Sequence, residues 1–120
     1  MKTTVGRITH PDFVSAFAEL ARIPLAAKDS FAVLKVGRAL ELEQNLAGTA
    51  RREVFSRLGV NKGNYIAVTE PAAQEQLAKE IEELNALGVD LPFTEPIMLP
   101  ADVRISASAL RQLDGFVATP

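Results

Sequence analysis

The sequence predicts a mainly α fold of the α+β class, with one long central helix, shorter helices and a small β-sheet. Residues 25–58 contain no proline, and their apolar side chains recur at helical spacing. A second apolar stripe, with offsets of four, four and three residues, begins at Ala73 and ends at Leu84. Between these helical patterns lies Tyr65–Val68, a short apolar segment that indicates a strand.

The composition bounds the class of protein. A chain of 120 residues with 48% apolar and 23% charged residues suits one globular domain, and we predict a single domain over residues 1–120. The formal net charge of -2 gives no general attraction to nucleic acid or to an anionic membrane. The chain has no cysteine, which excludes disulfides, thiolate metal sites and a cysteine nucleophile.

Two features of the sequence indicate where in the cell the protein is expected. No apolar run approaches the roughly 20 residues that a membrane helix needs. The first residues also lack the apolar core of a secretion signal. We therefore expect no membrane partner, and the cytoplasm is the default location.

The N-terminal part predicts a helix that starts at Thr9–Asp12. Thr9 can cap it, Pro11 suits the first turn, and Asp12 lies near the positive end of the helix dipole. Pro24 stops or bends this helix. The preceding residues 3–8 can form a short strand or an extended lead.

The central helix is predicted over residues 25–58 and ends at Gly59. At about 1.5 Å per residue it would be roughly 50 Å long if unbroken. From its length alone, a compact chain of this size has a radius of gyration of about 14 Å. The helix must therefore protrude, or bend at Gly37 or Gly48, and we expect an elongated molecule. The two glycines could equally let another helix approach closely.

The C-terminal part consists of extended pieces separated by prolines, which suit strand ends and edge strands. A lone strand leaves its backbone groups unpaired. We therefore predict that Tyr65–Val68 pairs with Val89–Phe93 or Ile97–Leu99, with a helix over Pro71–Leu87 as the connection. Ser106 or Ser108 can cap a last short helix.

No catalytic constellation is evident. The single histidine, His10, lies at a helix start and is best explained as a surface cap. Glu41 and Glu43 point apart on their helix, while Glu80 and Glu83 share a solvated face as like charges. The glycine-containing turn after the central helix lacks the spacing of a phosphate loop. We expect no enzymatic activity, no cofactor and no metal site.

A basic region lies at the end of the central helix, where cations complement the helix dipole. Its members are Arg51, Arg52, Arg57 and Lys62. These side chains could contact phosphate, but only Phe55 and Tyr65 supply aromatic rings nearby, and an acidic helix follows. Nucleic-acid binding is therefore the less favoured interpretation.

The most informative feature is the wide apolar arc of the central helix. The other predicted helices are short and cannot cover a helix of roughly 50 Å along its whole length. Apolar surface should remain exposed, which usually marks a partner site, although each residue could also be core. The predicted contact residues are Phe31, Leu34, Leu42 and Leu46.

From residue 5 to residue 117 the chain resembles a family of small tailed-bacteriophage proteins. The family combines a short helix, a Leu-Pro or Ile-Pro junction, a long helix with a glycine stop, an acidic helix and a C-terminal apolar clasp. The matching segments are Ile23–Ala27, Arg51–Glu53 followed by Leu58–Gly59, Glu80–Leu84 and Leu110–Phe116. The resemblance implies a phage or prophage origin and implies no site residues.

We therefore expect a non-enzymatic phage interaction protein, a virion structural protein or assembly factor that acts through its long amphipathic helix. Its partners would be itself or other phage proteins, in the virion or the host cytoplasm. The alternative is a host-directed regulator or inhibitor that binds a bacterial protein or nucleic acid through the Arg51–Lys62 region. An enzyme is the third hypothesis.

Overall fold

A computed structural model describes residues 1–119 and has the predicted mainly α fold. Its helices are α1 (Val5–Thr9), α2 (Pro11–Ala21), α3 (Ala27–Leu58), α4 (Pro71–Ala86) and α5 (Ala107–Gln112). Its strands are β1 (Lys2–Thr4), β2 (Val60–Asn61), β3 (Ile66–Ala67), β4 (Gly88–Asp90), β5 (Ile97–Met98) and β6 (Val117–Ala118). The predicted combination of a long central helix, shorter helices and small β elements is confirmed.

Side-chain caps define the first two helices. Thr4 caps α1, because its hydroxyl accepts a hydrogen bond from the backbone N–H of Arg7 at 3.3 Å. His10 caps α2 through Nδ1, which accepts from the backbone N–H of Asp12 at 3.1 Å. His10 is exposed, in agreement with its predicted role as a surface cap. The predicted cap Thr9 instead ends α1, where its hydroxyl donates to the Val5 carbonyl at 2.8 Å.

Helix α3 runs without interruption through both of its glycines. Its 32 residues span about 48 Å at 1.5 Å per residue. The molecule measures 53 × 24 × 20 Å, so α3 extends along nearly its whole length. Gly37 faces α2, and a Cβ atom at this position would lie 3.4 Å from Cε1 of Phe17, at the edge of ordinary van der Waals contact. The expectation of an elongated molecule is confirmed.

The predicted pairing of Tyr65–Val68 with the C-terminal segments is wrong. Strand β3 pairs antiparallel with β2, with Asn61 opposite Ile66. The turn between them is closed locally, because Gly63 adopts a φ of 98° and its N–H donates to the Asn61 side chain at 2.8 Å. A short loop loses little entropy on closure, so the adjacent strand outcompetes a distant one.

The C-terminal segments pair elsewhere. Strand β4 pairs antiparallel with β1, and β5 pairs in parallel with β6. Residues 1–119 therefore contain three separate two-stranded sheets instead of one small sheet.

One group of buried side chains joins the two ends of the chain. Phe116 is fully buried, with its ring centroid 5.3 Å from those of Phe13 and Phe93. The guanidinium of Arg7 lies 4.8 Å from the Phe116 ring centroid and donates to the Gln112 carbonyl at 3.0 Å. Aromatic packing and an arginine brace thus hold α5 and the C-terminal strand against α1 and α2.

The central helix contributes one stripe to this core. Its buried residues are Val33, Val36, Leu40 and Ala47, which recur at spacings of three, four and seven. Helices α1, α2 and α4 and strands β3 and β5 all contact α3. The rest of the chain therefore covers one side of the helix.

The aromatic contacts predict that Phe116→Ala destabilises the fold by about 3–5 kcal/mol, because it removes a fully buried ring and leaves a cavity. The same change at Phe31, which is 64% exposed, should alter the free energy of unfolding by about 0.5 kcal/mol or less. Urea unfolding of both variants in dilute solution measures the difference. Equal losses would contradict the assignment of Phe116 to the core.

Candidate interaction surface

The four predicted contact residues of α3 are exposed. The exposed fractions are 64% for Phe31, 65% for Leu34, 60% for Leu42 and 57% for Leu46. Isolated exposed apolar residues are common on proteins, whereas several on one helix are a candidate contact surface. The structure thus leaves these side chains outside the core, and their role as contact residues stays a prediction.

These residues lie on the side of α3 that faces away from the core. Phe31 and Leu42 are eleven residues apart, about three turns, and so point in the same direction. Leu40 is buried, and it precedes Leu42 by two residues, which turns it about 200° away. The apolar surface therefore lies on the opposite side of the helix from the buried stripe.

Two charged side chains extend this surface in one line. Lys35, Leu42, Leu46 and Glu53 follow each other at spacings of seven, four and seven residues, and all four are exposed. We call these four residues the outer line of α3. Within residues 1–119 neither Lys35 nor Glu53 belongs to an ion pair. Neither Lys35 nor Glu53 was among the predicted contact residues, although their symmetric spacing about the two leucines is visible in the sequence.

The apolar surface continues beyond α3 at one point. Leu46 and Leu87, which follows α4, line a shallow groove of about 210 Å³ together with Leu84. Leu87 is 56% exposed. A partner seated on the outer line would therefore meet Leu87, directly after α4, as well.

The predicted basic region does not form one free cluster. Arg51 braces three helices, since its Nη2 donates to the Thr9 hydroxyl at 2.9 Å and to the Asn85 amide oxygen at 2.7 Å. Arg57 pairs with Glu80 of α4. Arg52 instead remains exposed on its own helix, where it donates to the Thr49 hydroxyl at 3.2 Å. Lys62 is also exposed, in the turn between β2 and β3.

The Arg57–Glu80 pair is the clearest electrostatic feature of this region. The hydrogen bond from Arg57 lowers the pKa of the Glu80 carboxyl, and a hydrogen bond from Gln76 acts in the same direction. The same pair raises the pKa of the Arg57 guanidinium. Both groups remain charged near neutral pH and fasten the end of α3 to α4.

A cleft near the end of α2 also contains ionisable groups. It has a volume of about 530 Å³ and is lined in part by Glu19, Arg22, Asp102 and Arg104. The Glu19 carboxylate is occupied, because it accepts from the backbone N–H of Ser106 at 2.7 Å and from its hydroxyl at 3.0 Å. The Glu19 carboxylate therefore holds Ser106 at the start of α5. The cleft is lined by charges of both signs.

Two further observations concern the described part of the chain. Across residues 1–119, the structure brings no three acidic or histidine side chains into a group that could hold a metal ion. None of the helices in that range is both long and apolar enough to span a bilayer.

Comparison of the chain with family models, curated proteins and solved structures finds no match. The resemblance to small tailed-phage proteins therefore stays a prediction.

The lowered pKa of Glu80 makes its contribution to stability dependent on pH. The contribution is present above the ordinary glutamate pKa and is lost as the pH falls through the lowered value, because the protonated carboxyl no longer pairs with Arg57. Glu80→Gln should therefore lower the melting temperature near neutral pH, and the deficit should shrink below about pH 4. Thermal unfolding against pH measures it. Glu82→Gln, on the same helix, should show no such trend.

Proposed function

We propose that this chain is a non-enzymatic interaction protein of phage origin, in which α3 pairs with α3 of a second copy. The outer line carries the proposal, because two exposed leucines lie between a lysine and a glutamate at equal distances. A dimer of this kind would be an elongated unit for virion assembly.

The order of charges favours an antiparallel arrangement. The outer line is symmetric about residue 44, nine residues from both Lys35 and Glu53 and two from each leucine. If a second helix is reversed about that point, Lys35 lies opposite Glu53 twice, and the leucines of both copies meet at the centre. A parallel pair would place like charges opposite each other, which is unfavourable. An antiparallel pair about a two-fold axis also forms a closed dimer.

The size of the surface predicts moderate affinity. Complete burial of one leucine side chain is worth roughly 1.5–3 kcal/mol, and these leucines are already partly covered. Two exposed ion pairs add about 0.2–1 kcal/mol each. Because association also costs translational and rotational freedom, we expect a dissociation constant in roughly the micromolar range.

The proposal predicts that Leu42→Gln combined with Leu46→Gln leaves a monomer, while α3 remains helical because glutamine is a good helix former. Size-exclusion chromatography with light scattering, over a range of protein concentrations, should show dimers for the wild type only. The control is Val14→Gln on α2, an apolar side chain that is 44% exposed. A wild-type protein that remains monomeric at high concentration would contradict the proposal.

Charge exchange tests the orientation of the pair. Lys35→Glu or Glu53→Lys alone should weaken the dimer about tenfold, because each creates two like-charge contacts. The double variant restores both opposite-charge contacts and should recover the wild-type dissociation constant. Mixing the two single variants should also recover it, in heterodimers. In a parallel dimer each position would face its own copy, so the single and double variants would all keep two like-charge contacts and the wild-type dissociation constant, and only the mixture would bind more tightly than the wild type.

The assembly role rests on the resemblance to tailed-phage proteins and has its own test. In a phage or prophage that encodes this chain, mass spectrometry of purified virions should detect it in a fixed ratio to the major structural proteins. Detection in infected cells together with absence from assembled particles and assembly intermediates would refute the structural role. It would favour the alternative of a host-directed regulator.

A further inference from the structure

A second surface lies at the C-terminal end of α3, where the β2–β3 hairpin folds back on the helix. An open cleft of about 490 Å³ lies between the two elements, a volume within the range of small-molecule sites. Its lining residues are Arg51, Arg52, Phe55, Ser56, Asn64, Tyr65 and Ile66. The cleft does not involve the outer line of α3.

Aromatic rings and cations share this cleft. Tyr65 is 65% exposed and Phe55 is 38% exposed, so both rings are accessible to a planar ligand. Arg52 is exposed on the helix wall, where its Nη2 donates to the Thr49 hydroxyl at 3.2 Å, a contact that a phosphate would replace. Arg51 lies one residue before it. The lining contains no carboxylate, in contrast to the cleft near α2. Its chemistry therefore suits an anion joined to an aromatic ring.

The walls of the cleft are held in place before any ligand binds. Gly59 permits the close contact of hairpin and helix, because a Cβ atom there would lie 2.3 Å from Cγ2 of Ile66. The N–H of Lys62 donates to the Tyr65 carbonyl at 2.9 Å and closes the hairpin next to the exposed ring. Arg51 is fixed from behind by Thr9 and Asn85. Such preorganisation reduces the entropy lost on binding.

We propose that this cleft binds a nucleotide, with the base stacked on Tyr65 and the phosphate against Arg52. Arginine binds phosphate oxygens through parallel N–H groups, and an exposed aromatic ring stacks on any base. Ser56 and Asn64 add hydrogen-bonding groups at the cleft wall. The shared chemistry is a nucleotide, either free or within a single strand. An acidic peptide would satisfy the arginine but would leave the ring without a stacking partner.

The composition provides a direct probe, because Tyr65 is the only tyrosine and the chain has no tryptophan. Uridine monophosphate and a labelled single-stranded oligo-uridine should both be titrated at low salt. Stacking should quench Tyr65 emission beyond the absorption correction measured with a free tyrosine derivative. Fluorescence anisotropy of the labelled oligonucleotide gives its dissociation constant.

The two ligands distinguish the source of the nucleotide. Equal affinity per site for the monophosphate and the oligonucleotide would assign a free nucleotide, whereas binding of the oligonucleotide alone would assign single strands. Both results support the site. Absence of binding at millimolar ligand would overturn it, and so would a preference for an oligoglutamate peptide of similar charge.

Variants locate the binding on the cleft. Tyr65→Ala and Arg52→Gln should each weaken oligonucleotide binding about tenfold or more. Tyr65→Phe keeps the stacking ring and should stay within about threefold of the wild type. Arg104→Gln, an exposed arginine of the other cleft, is the matched control. Circular dichroism confirms that each variant folds. Binding that is unchanged by Tyr65→Ala and Arg52→Gln would refute the site.

Discussion

Burial of only one side of α3 is the constraint on which the rest of the structure depends. A helix of 32 residues lies in a molecule of 53 × 24 × 20 Å, so all other segments must share the space on one side of it. Val36 and Leu40 face that side and are buried, whereas Leu42 faces the other side and is 60% exposed. The remaining elements are too short to surround the helix. The exposed leucines are therefore a consequence of chain length and topology as much as of local sequence.

The packing on the buried side closes the chain on itself. Arg7, near the start, donates to backbone carbonyls of Gln112 and Asp114, and its guanidinium lies against the Phe116 ring. Contacts this distant in sequence hold α1, α2 and α5 as one body against which α3 packs. Arg51 extends the same body to α4 through Asn85. A support fixed at several points keeps the outer side of α3 in a constant geometry, which the proposed contact with a second copy requires.

Local signals in the sequence predicted four of the five helices within residues 1–119; α1 was missed, because residues 3–8 were expected to form a short strand or an extended lead. Contacts between residues distant in the sequence could not be predicted. Periodicity and the Gly59 stop located α3 to within two residues, because helices are specified by side chains three and four apart. The prediction of strand partners was wrong, because a two-residue strand such as β3 contains too few residues to specify its partner. The exposure of apolar residues such as Leu42 could be expected, because the other helices are too short to cover α3. The hydrogen bond between Arg51 and Asn85 joins residues 34 positions apart and leaves no signal in the sequence. The same holds for the pair of Arg57 and Glu80, so nothing in the sequence excluded either arginine as a phosphate contact.

The two proposed surfaces reinforce each other if both operate. In an antiparallel pair centred on residue 44, Phe55 of each copy lies eleven residues from the centre, on opposite sides. The two clefts are then separated by roughly 33 Å along the helix axes, at about 1.5 Å per residue. One ligand chain that reaches both clefts would bind far more tightly than a free nucleotide, because its second contact is intramolecular. Dimerisation would thereby favour long single strands over mononucleotides.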